Sequence, residues 1–314
     1  MKELIAQQKF IVKQMKVLCD KGEPISNTDL LEICRNFGMD LFSQRKETHL
    51  IHELFETALN QQIYSKFQGL NLKNQKLHLQ LLNELIDLLK KCPPQSWRGE
   101  EQIKLQQFST PPTIAFLMAI ILNPKKTELI LEPSAGTGSL AIWLKIAGCR
   151  FHLNELSEMR QFLLGLQGFA STACNAEFLD DLLPEEILPD AILMNPPFSA
   201  NAGRTKSGDS NFGFRHITSA LERLKSGGRL VALFSTDALM KTHKGLKFLS
   251  DLSVNFDLKT VIHLPKNAYY KYGTSLPVSI ICIVKREPQK PFNEVLKINC
   301  PNLEDVLSNA GIFD

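Results

Sequence analysis

The chain has 314 residues, 44% hydrophobic, 22% charged and 8% aromatic, with 36 Lys and Arg against 33 Asp and Glu for a net charge of +3. This composition excludes a disordered or fibrous chain, and the length suits two domains or one α/β domain with an added module. A charge of +3 neither announces nor excludes a nucleic-acid partner, because local patches decide that question.

Residues 1–95 read as an α-helical N-terminal domain, a region for contact with a partner or a target. Ile11, Val12, Met15 and Leu18 recur at helical spacing. Ser26-Asn27-Thr28-Asp29 forms a capping box ahead of Leu30, Leu31, Ile33 and Cys34, and Gly38 suits the position after the helix end. Leu50, Ile51, Leu54, Phe55 and Ala58 give a further apolar stripe. Leu77, Leu81, Leu82, Leu85, Leu88 and Leu89 give another, stopped by Cys92-Pro93-Pro94. His49-x-x-His52 lacks any further ligand at metal-binding spacing, so no metal is expected.

Within residues 96–314 the pattern changes to alternating strands and helices. Strands are expected at Leu129–Leu131, Phe151–Leu153, Ala191–Met194, Leu230–Phe234, Thr260–Ile262 and Val278–Val284, with a weaker one just before Cys174. The alternation predicts an α/β, Rossmann-like domain whose sheet is mostly parallel. Such sheets bind ligands in the loops at the carboxyl ends of their strands.

The first of these loops is Glu132-Pro133-Ser134-Ala135-Gly136-Thr137-Gly138, which opens a helix over Ser139–Ala147. Its glycines permit a tight turn and close approach of a ligand, and a helix start offers unpaired N–H groups. Glu155 ends the next strand, where a carboxylate can accept both hydroxyls of a ribose. Together these features point to an adenosine-containing cofactor. Gly136-x-Gly138-x-x-Ala141 also fits the dinucleotide fingerprint of a dehydrogenase, and a plain turn is the other reading. S-adenosylmethionine (SAM) carries a sulfonium cation and no phosphate, and Glu132 suits its positive methionine end.

The second loop is Asn195-Pro196-Pro197-Phe198, directly after an apolar strand. An exocyclic amine such as adenine N6 is a poor nucleophile because its lone pair is delocalised into the ring. Two acceptors on its N–H groups localise that pair. The Asn195 side-chain oxygen is one acceptor, and the Pro196 carbonyl, on a stiff backbone, is the other. Phe198 can stack on the flat ring. A rigid turn without chemistry is the alternative.

With these motifs the chain resembles the SAM-dependent N6-adenine DNA methyltransferases. Gln107-Phe108-Ser109-Thr110-Pro111-Pro112 is similar to the Gln-Phe-x-Thr-Pro motif of the methylase subunits of type I restriction–modification systems. A closer likeness is to the methylase module found with strawberry-notch-like helicases. It covers roughly residues 96–285 and is weak over the N-terminal helices. The resemblance implies a class I methyltransferase sheet with a final antiparallel strand. It implies that Phe108, Thr110 and Pro111 cover the methionine end of SAM. Glu132, Ala135, Gly136 and Gly138 would form the loop beneath it, and Glu155 would hold the ribose. Asn175 stands where the family has an Asp for the cofactor's adenine; Asp180 or Asp181 could serve instead. Tyr269-Tyr270-Lys271-Tyr272-Gly273-Thr274 resembles the segment lining the target-base pocket, so Tyr270 and Tyr272 would stack on a flipped base. A turn packed with aromatics is the other reading.

Two basic features suit a nucleic acid. The polar loop 199–215 carries Arg204, a substrate contact if the loop closes over an extruded nucleotide and otherwise a plain loop residue. Lys241, His243, Lys244 and Lys247 cluster on the next helical segment, as a phosphate contact or a solvated face.

The expected activity is methyl transfer from SAM to adenine N6 in DNA. The alternatives are RNA adenine, a protein glutamine amide, or a non-catalytic SAM-binding partner subunit. Residues 286–314 are too few for a target-recognition domain, so target choice would come from a specificity or helicase partner, or be low. Seven widely spaced cysteines without Cys-x-x-Cys suggest a reducing compartment. Ile114–Leu122 is too short for the roughly 20 residues of a membrane span, and the N-terminus lacks a signal-peptide pattern. A cytoplasmic protein with no membrane partner is expected.

Overall fold

The structure is a computed structural model that describes residues 2–39, 48–95, 109–197, 212–273, 276–287, 296–309 and 311–313. The helices are α1 (Lys2–Asp20), α2 (Asn27–Asn36), α3 (Thr48–Phe67), α4 (His78–Lys91), α5 (Pro112–Leu122), α6 (Ala141–Ala147), α7 (Glu158–Gly165), α8 (Leu179–Leu182), α9 (Phe212–Arg223), α10 (Thr236–Lys241) and α11 (His243–Leu252). The strands are β1 (Leu129–Glu132), β2 (Arg150–Leu153), β3 (Ala191–Met194), β4 (Arg229–Ser235), β5 (Phe256–His263), β6 (Val278–Lys285) and β7 (Leu296–Asn299).

Local signals explain many of these boundaries. The Ser26 hydroxyl accepts from the Asp29 N–H while the Asp29 carboxylate accepts from the Ser26 N–H, which starts α2. Gly38 follows its end with φ +76°. Cys92 leaves α4 with ψ 146°, extended backbone ahead of Pro93. The helix expected from Ser139 begins at Ala141, after a turn that Ser139 and Leu140 share with the glycine loop.

Among the described residues the strands form one sheet in the order β2-β1-β3-β4-β6-β5-β7. β1 pairs in parallel with both β2 and β3, and β3 with β4. β6 runs antiparallel between β4 and β5. The chain leaves β1 toward β2 on one side and returns to β3 on the other. The loops after β1 and β3 therefore meet at the switch point, where an open α/β sheet leaves a crevice.

Two details differ from expectation. The strand expected before Cys174 is a single parallel bridge between Asn154 and Thr172, in a segment poor in β-branched residues. A strand not expected, β7, pairs in parallel with β5. Only Ile298 of β7 is half-buried, so its alternation carries little apolar signal.

The strand residues alternate between two apolar layers. Ile130, Leu193, Val231, Leu233, Ile262 and Ile280 join a cluster that takes in α5, α6 and the N-terminal helices. Leu131, Ile192, Met194, Leu230, Ala232 and Ile281 join the cluster under α9, α10 and α11. α5 is buried along its whole length. The N-terminal helices and one face of the sheet share a continuous core from Ile11 to Val306.

Candidate active site

The glycine loop bends because Gly136 and Gly138 take φ of +57° and +91°. Their surroundings differ. A Cβ on Gly138 would lie 3.1 Å from Leu164 Cδ2 of α7, whereas a Cβ on Gly136 would meet nothing within 4 Å. One glycine lets the loop pack against a helix, and the other leaves an open face. Glu155 lies across that face. Its carboxylate accepts from the Gly136 N–H at 2.7 Å and the Ser157 N–H at 2.9 Å, so it is held at the loop by fixed backbone donors.

Asn154, buried, ties the loops of this end of the sheet together. Its Nδ2 donates to the carbonyls of Pro133 and Cys174, and its Oδ1 accepts from the Thr172 hydroxyl and the Cys174 N–H. The Ala135 N–H donates to the Asn154 carbonyl. Glu132 is buried beneath the loop, and its Oε2 has no hydrogen-bond partner among the described residues. Burial, and next the nearby Glu155 charge, push the Glu132 carboxyl well above its ordinary range.

Asn195 follows β3, and its Nδ2 donates to Thr110 Oγ1 at 3.0 Å. Thr110 is buried at the start of α5, where the Pro111 carbonyl accepts from the Ala115 N–H. The structure thus brings the Ser109–Pro112 segment onto the Asn195 loop. With the amide nitrogen on Thr110, the amide oxygen points away from it. Pro196 and Pro197 are buried.

Other expected residues lie less directly at the crevice. Asn175 Oδ1 accepts from the Glu177 N–H and caps a short 3-10 turn. Asp180 is committed to Ser219 of α9, accepting from its hydroxyl at 2.6 Å. Tyr272 is buried, edge-on to Tyr269, beside a small cavity lined by Glu56, Leu59, Cys92 and Gln95 of the N-terminal region, while Tyr270 is half exposed. Phe108, Phe198 and Arg204 lie outside the described residues.

Several residues at the site escaped the sequence reading. Leu156 and Phe178 sit just after Glu155 and Asn175 with large exposed apolar surfaces, 57% and 48%. Glu53, Glu56 and Asn60 of α3 are buried and face the site's loops. Glu56 Oε2 accepts from Thr137 Oγ1 at 2.7 Å, and Asn60 Nδ2 donates to the Thr137 carbonyl at 2.9 Å. Glu53 pairs with Arg160 of α7 at 2.8 Å. Their spacing of three and four marks one helix face, a polar stripe readable beside the apolar one.

An open glycine face, a fixed carboxylate beside it, a buried carboxyl oxygen without a partner among the described residues and exposed apolar side chains suit a ligand with a ribose, a cationic group and a flat base. The residues present fit SAM. Among the described residues no three His, Cys, Asp or Glu are grouped to hold a metal, and no helix is long and apolar enough to cross a membrane.

The fold has relatives among solved structures. A protein described as a class I SAM-dependent methyltransferase from Listeria monocytogenes superposes with a TM-score of 0.54 and 18% identity, each chain covered in full. The methyltransferase subunit of a type I restriction–modification system from Streptococcus thermophilus gives a TM-score of 0.54 and 18% identity over 91% of this chain and 74% of its own. Among curated proteins, the type II restriction enzyme and methyltransferase RM.BcgI of Heyndrickxia coagulans is 25% identical over 219 residues, 62% of this chain. The chain spans 33% of the length of that relative. The N-6 DNA Methylase family matches residues 152–310, half of the chain, a span that runs from β2 through the Asn195 loop to the last turn. The chain belongs to the N-6 DNA Methylase family, and its sheet shares the fold of these methyltransferase structures.

Proposed function

We propose that the chain methylates the exocyclic N6 amine of adenine in DNA, with Asn195, Pro196, Pro197 and Phe198 as the amine-binding loop. The observation that carries the reading is the Asn195–Thr110 bond at 3.0 Å. It fixes the orientation of the amide, with the nitrogen turned to Thr110 and the oxygen, the group that would meet the amine, on the other side. Asn195 Oδ1 and the Pro196 carbonyl each accept one N–H of the target, which directs its lone pair out of the ring. When bound, SAM supplies the electrophilic methyl group. That methyl would leave a neutral thioether behind, and Asn195 Oδ1 and the Pro196 carbonyl would hold the amine while its surplus proton passes to solvent. Positioning and electrostatics then account for the rate.

On this reading Phe108, Thr110 and Pro111 cover the methionine end, and Glu132, Ala135, Gly136 and Gly138 form the floor. Glu155 binds the ribose, Leu156 and Phe178 flank the adenine, and Asn175 accepts from its amino group. Tyr270, being half exposed, is better placed than Tyr272 to meet an extruded base; Arg204 would contact its phosphate. The description of the family supports a DNA acceptor, and the naming of the Streptococcus thermophilus relative as a subunit supports assembly with further subunits. None of those reported is a helicase, so a helicase partner has no support from them.

Asn195→Ala tests the reading. It should bind SAM with the parent's affinity and transfer labelled methyl to DNA at least about 100-fold more slowly, the scale of removing one group that stabilises the reacting centre. Mass spectrometry of DNA, RNA and protein from expressing cells identifies the acceptor. N6-methyladenine in DNA that persists in the Asn195→Ala strain would refute the assignment.

A further inference from the structure

We propose that Glu56 of α3 is a positioning residue for the SAM site, setting the glycine loop through Thr137 and the Ser109–Pro111 segment through Ser109, so that the N-terminal helices complete the cofactor pocket. This rests on the reading that the glycine loop and Glu155 hold SAM.

Three segments far apart in the chain converge on this one buried side chain. Thr137 Oγ1 donates to Glu56 Oε2 at 2.7 Å, and Gln95 Nε2 donates to Glu56 Oε1 at 2.6 Å. The Ser109 side chain is a third partner. Thr137 lies between the two glycines whose positive φ shapes the loop, and Ser109 adjoins Thr110, which orients Asn195. One carboxyl group therefore touches both walls of the crevice. Asn60, one turn further along α3, holds the Thr137 carbonyl, which Gln167 Nε2 also binds at 2.8 Å. Glu53, one turn back, holds Arg160 of the helix that follows Glu155.

A carboxyl group is a costly choice for this place. Burial raises the proton affinity of Glu56, and the bonds from Thr137, Ser109 and Gln95 offset it only in part. An apolar side chain would fill the space at less cost if packing alone mattered. What an apolar side chain cannot do is fix two loops with directed bonds. A glycine loop has little rigidity of its own, and misplacing a binding group by about 1 Å can cost roughly 100-fold.

The test compares SAM affinity with stability across a set of variants, by calorimetry and thermal unfolding. Glu56→Ala should weaken SAM binding by roughly tenfold or more. Glu56→Gln should recover most of it, because the amide keeps the volume and both hydroxyl partners can donate or accept. Ile51→Ala, a core truncation on the opposite face of the same helix from Glu56, should lower the unfolding temperature without changing affinity. Thr137→Val, which removes the held hydroxyl at nearly constant volume, should repeat the Glu56→Ala loss and carries the test if that variant does not fold. Glu155→Ala serves as the reference for the site itself. Loss of SAM binding in Glu155→Ala with parental binding in Glu56→Ala and Thr137→Val overturns the role of Glu56 alone. Equal losses in Ile51→Ala and Glu56→Ala overturn it as well, reducing Glu56 to fold stability. Parental binding in Glu155→Ala overturns the site reading, and this proposal with it.

Discussion

Glu132 closes β1 with its carboxyl in the core, one oxygen without a partner among the described residues and the charge of Glu155 nearby. Both influences favour the protonated form, so in the free protein the group holds its proton well above the ordinary value of 4.5. A cationic sulfonium or ammonium placed beside it favours the carboxylate. SAM binding should therefore lower this proton affinity and release a proton. Affinity should rise with pH up to the raised titration of the free protein and then level off. Calorimetry in two buffers of different ionisation enthalpy measures the released proton directly. Glu132→Gln should weaken binding and flatten its pH dependence; a parent whose affinity does not change with pH would remove Glu132 from the cationic end. The residues readable in advance at this scale are those whose role follows from position alone. Glu132, Glu155 and Asn195 each stand where an apolar strand ends, and any parallel sheet turns that position toward a ligand. Glu56 and Asn154 were not readable, because their roles depend on partners that only the fold brings near. Glu56 meets Thr137 across 81 positions, and nothing local to α3 announces it.

At the scale of elements the two glycines of the loop separate two kinds of constraint. Both need a left-handed backbone, so Ala at either should cost about 1–2 kcal/mol in strain. Gly138→Ala adds contacts at 3.1 Å with Leu164 and 3.3 Å with Gln167, and Gln167 is itself bonded to Thr137. It should be the less stable variant by urea unfolding. Gly136→Ala points its methyl into the open face beside Glu155, so it should lose more SAM affinity for each unit of stability lost. If the two variants lose affinity strictly in proportion to stability, the open face of Gly136 is not the ligand side. Apolar period made most elements legible: β3 and β4 are nearly continuous apolar runs, as strands covered on both faces should be. The same rule fails for β7, an edge strand with little burial, and for α3, which is buried on its polar face as well. Period reports which side of an element is apolar. It is silent when a polar side is buried too and satisfied by bonds to distant loops.

Across the whole molecule, chemistry and stability sit at opposite ends of the sheet. The carboxyl ends of β1, β2 and β3 carry the candidate site. At the amino end of β4, Arg229 fixes the frame. Its Nη1 and Nη2 meet the two Glu128 oxygens at 2.9 and 2.7 Å, its Nε donates to the Leu122 carbonyl and its Nη2 to that of Asn123. One guanidinium thereby joins the end of α5, the start of β1 and the start of β4. Burial disfavours the charged Glu128, but the bond and charge of Arg229, together with the Lys125 N–H, outweigh it and hold its carboxyl below the ordinary 4.5. The lowered folded value means that this pairing stabilises the protein above about pH 4.5 and is lost as pH falls through the folded value. Arg229→Met leaves a largely buried carboxylate and two carbonyls without their donor. It should cost about 3 kcal/mol at pH 7, the usual scale for removing one partner of a buried pair. The gap between parent and variant should narrow below pH 4.5, where Glu128 protonates in the variant first. SAM affinity of the folded variant should stay at the parental value, because the clamp lies a strand's length from the glycine loop. Urea midpoints at pH 7 and pH 4, paired with calorimetry, measure both quantities. A stability gap unchanged between those pH values would remove the ion pair as the cause, and a parallel fall in SAM affinity would show that the two ends of the sheet are coupled.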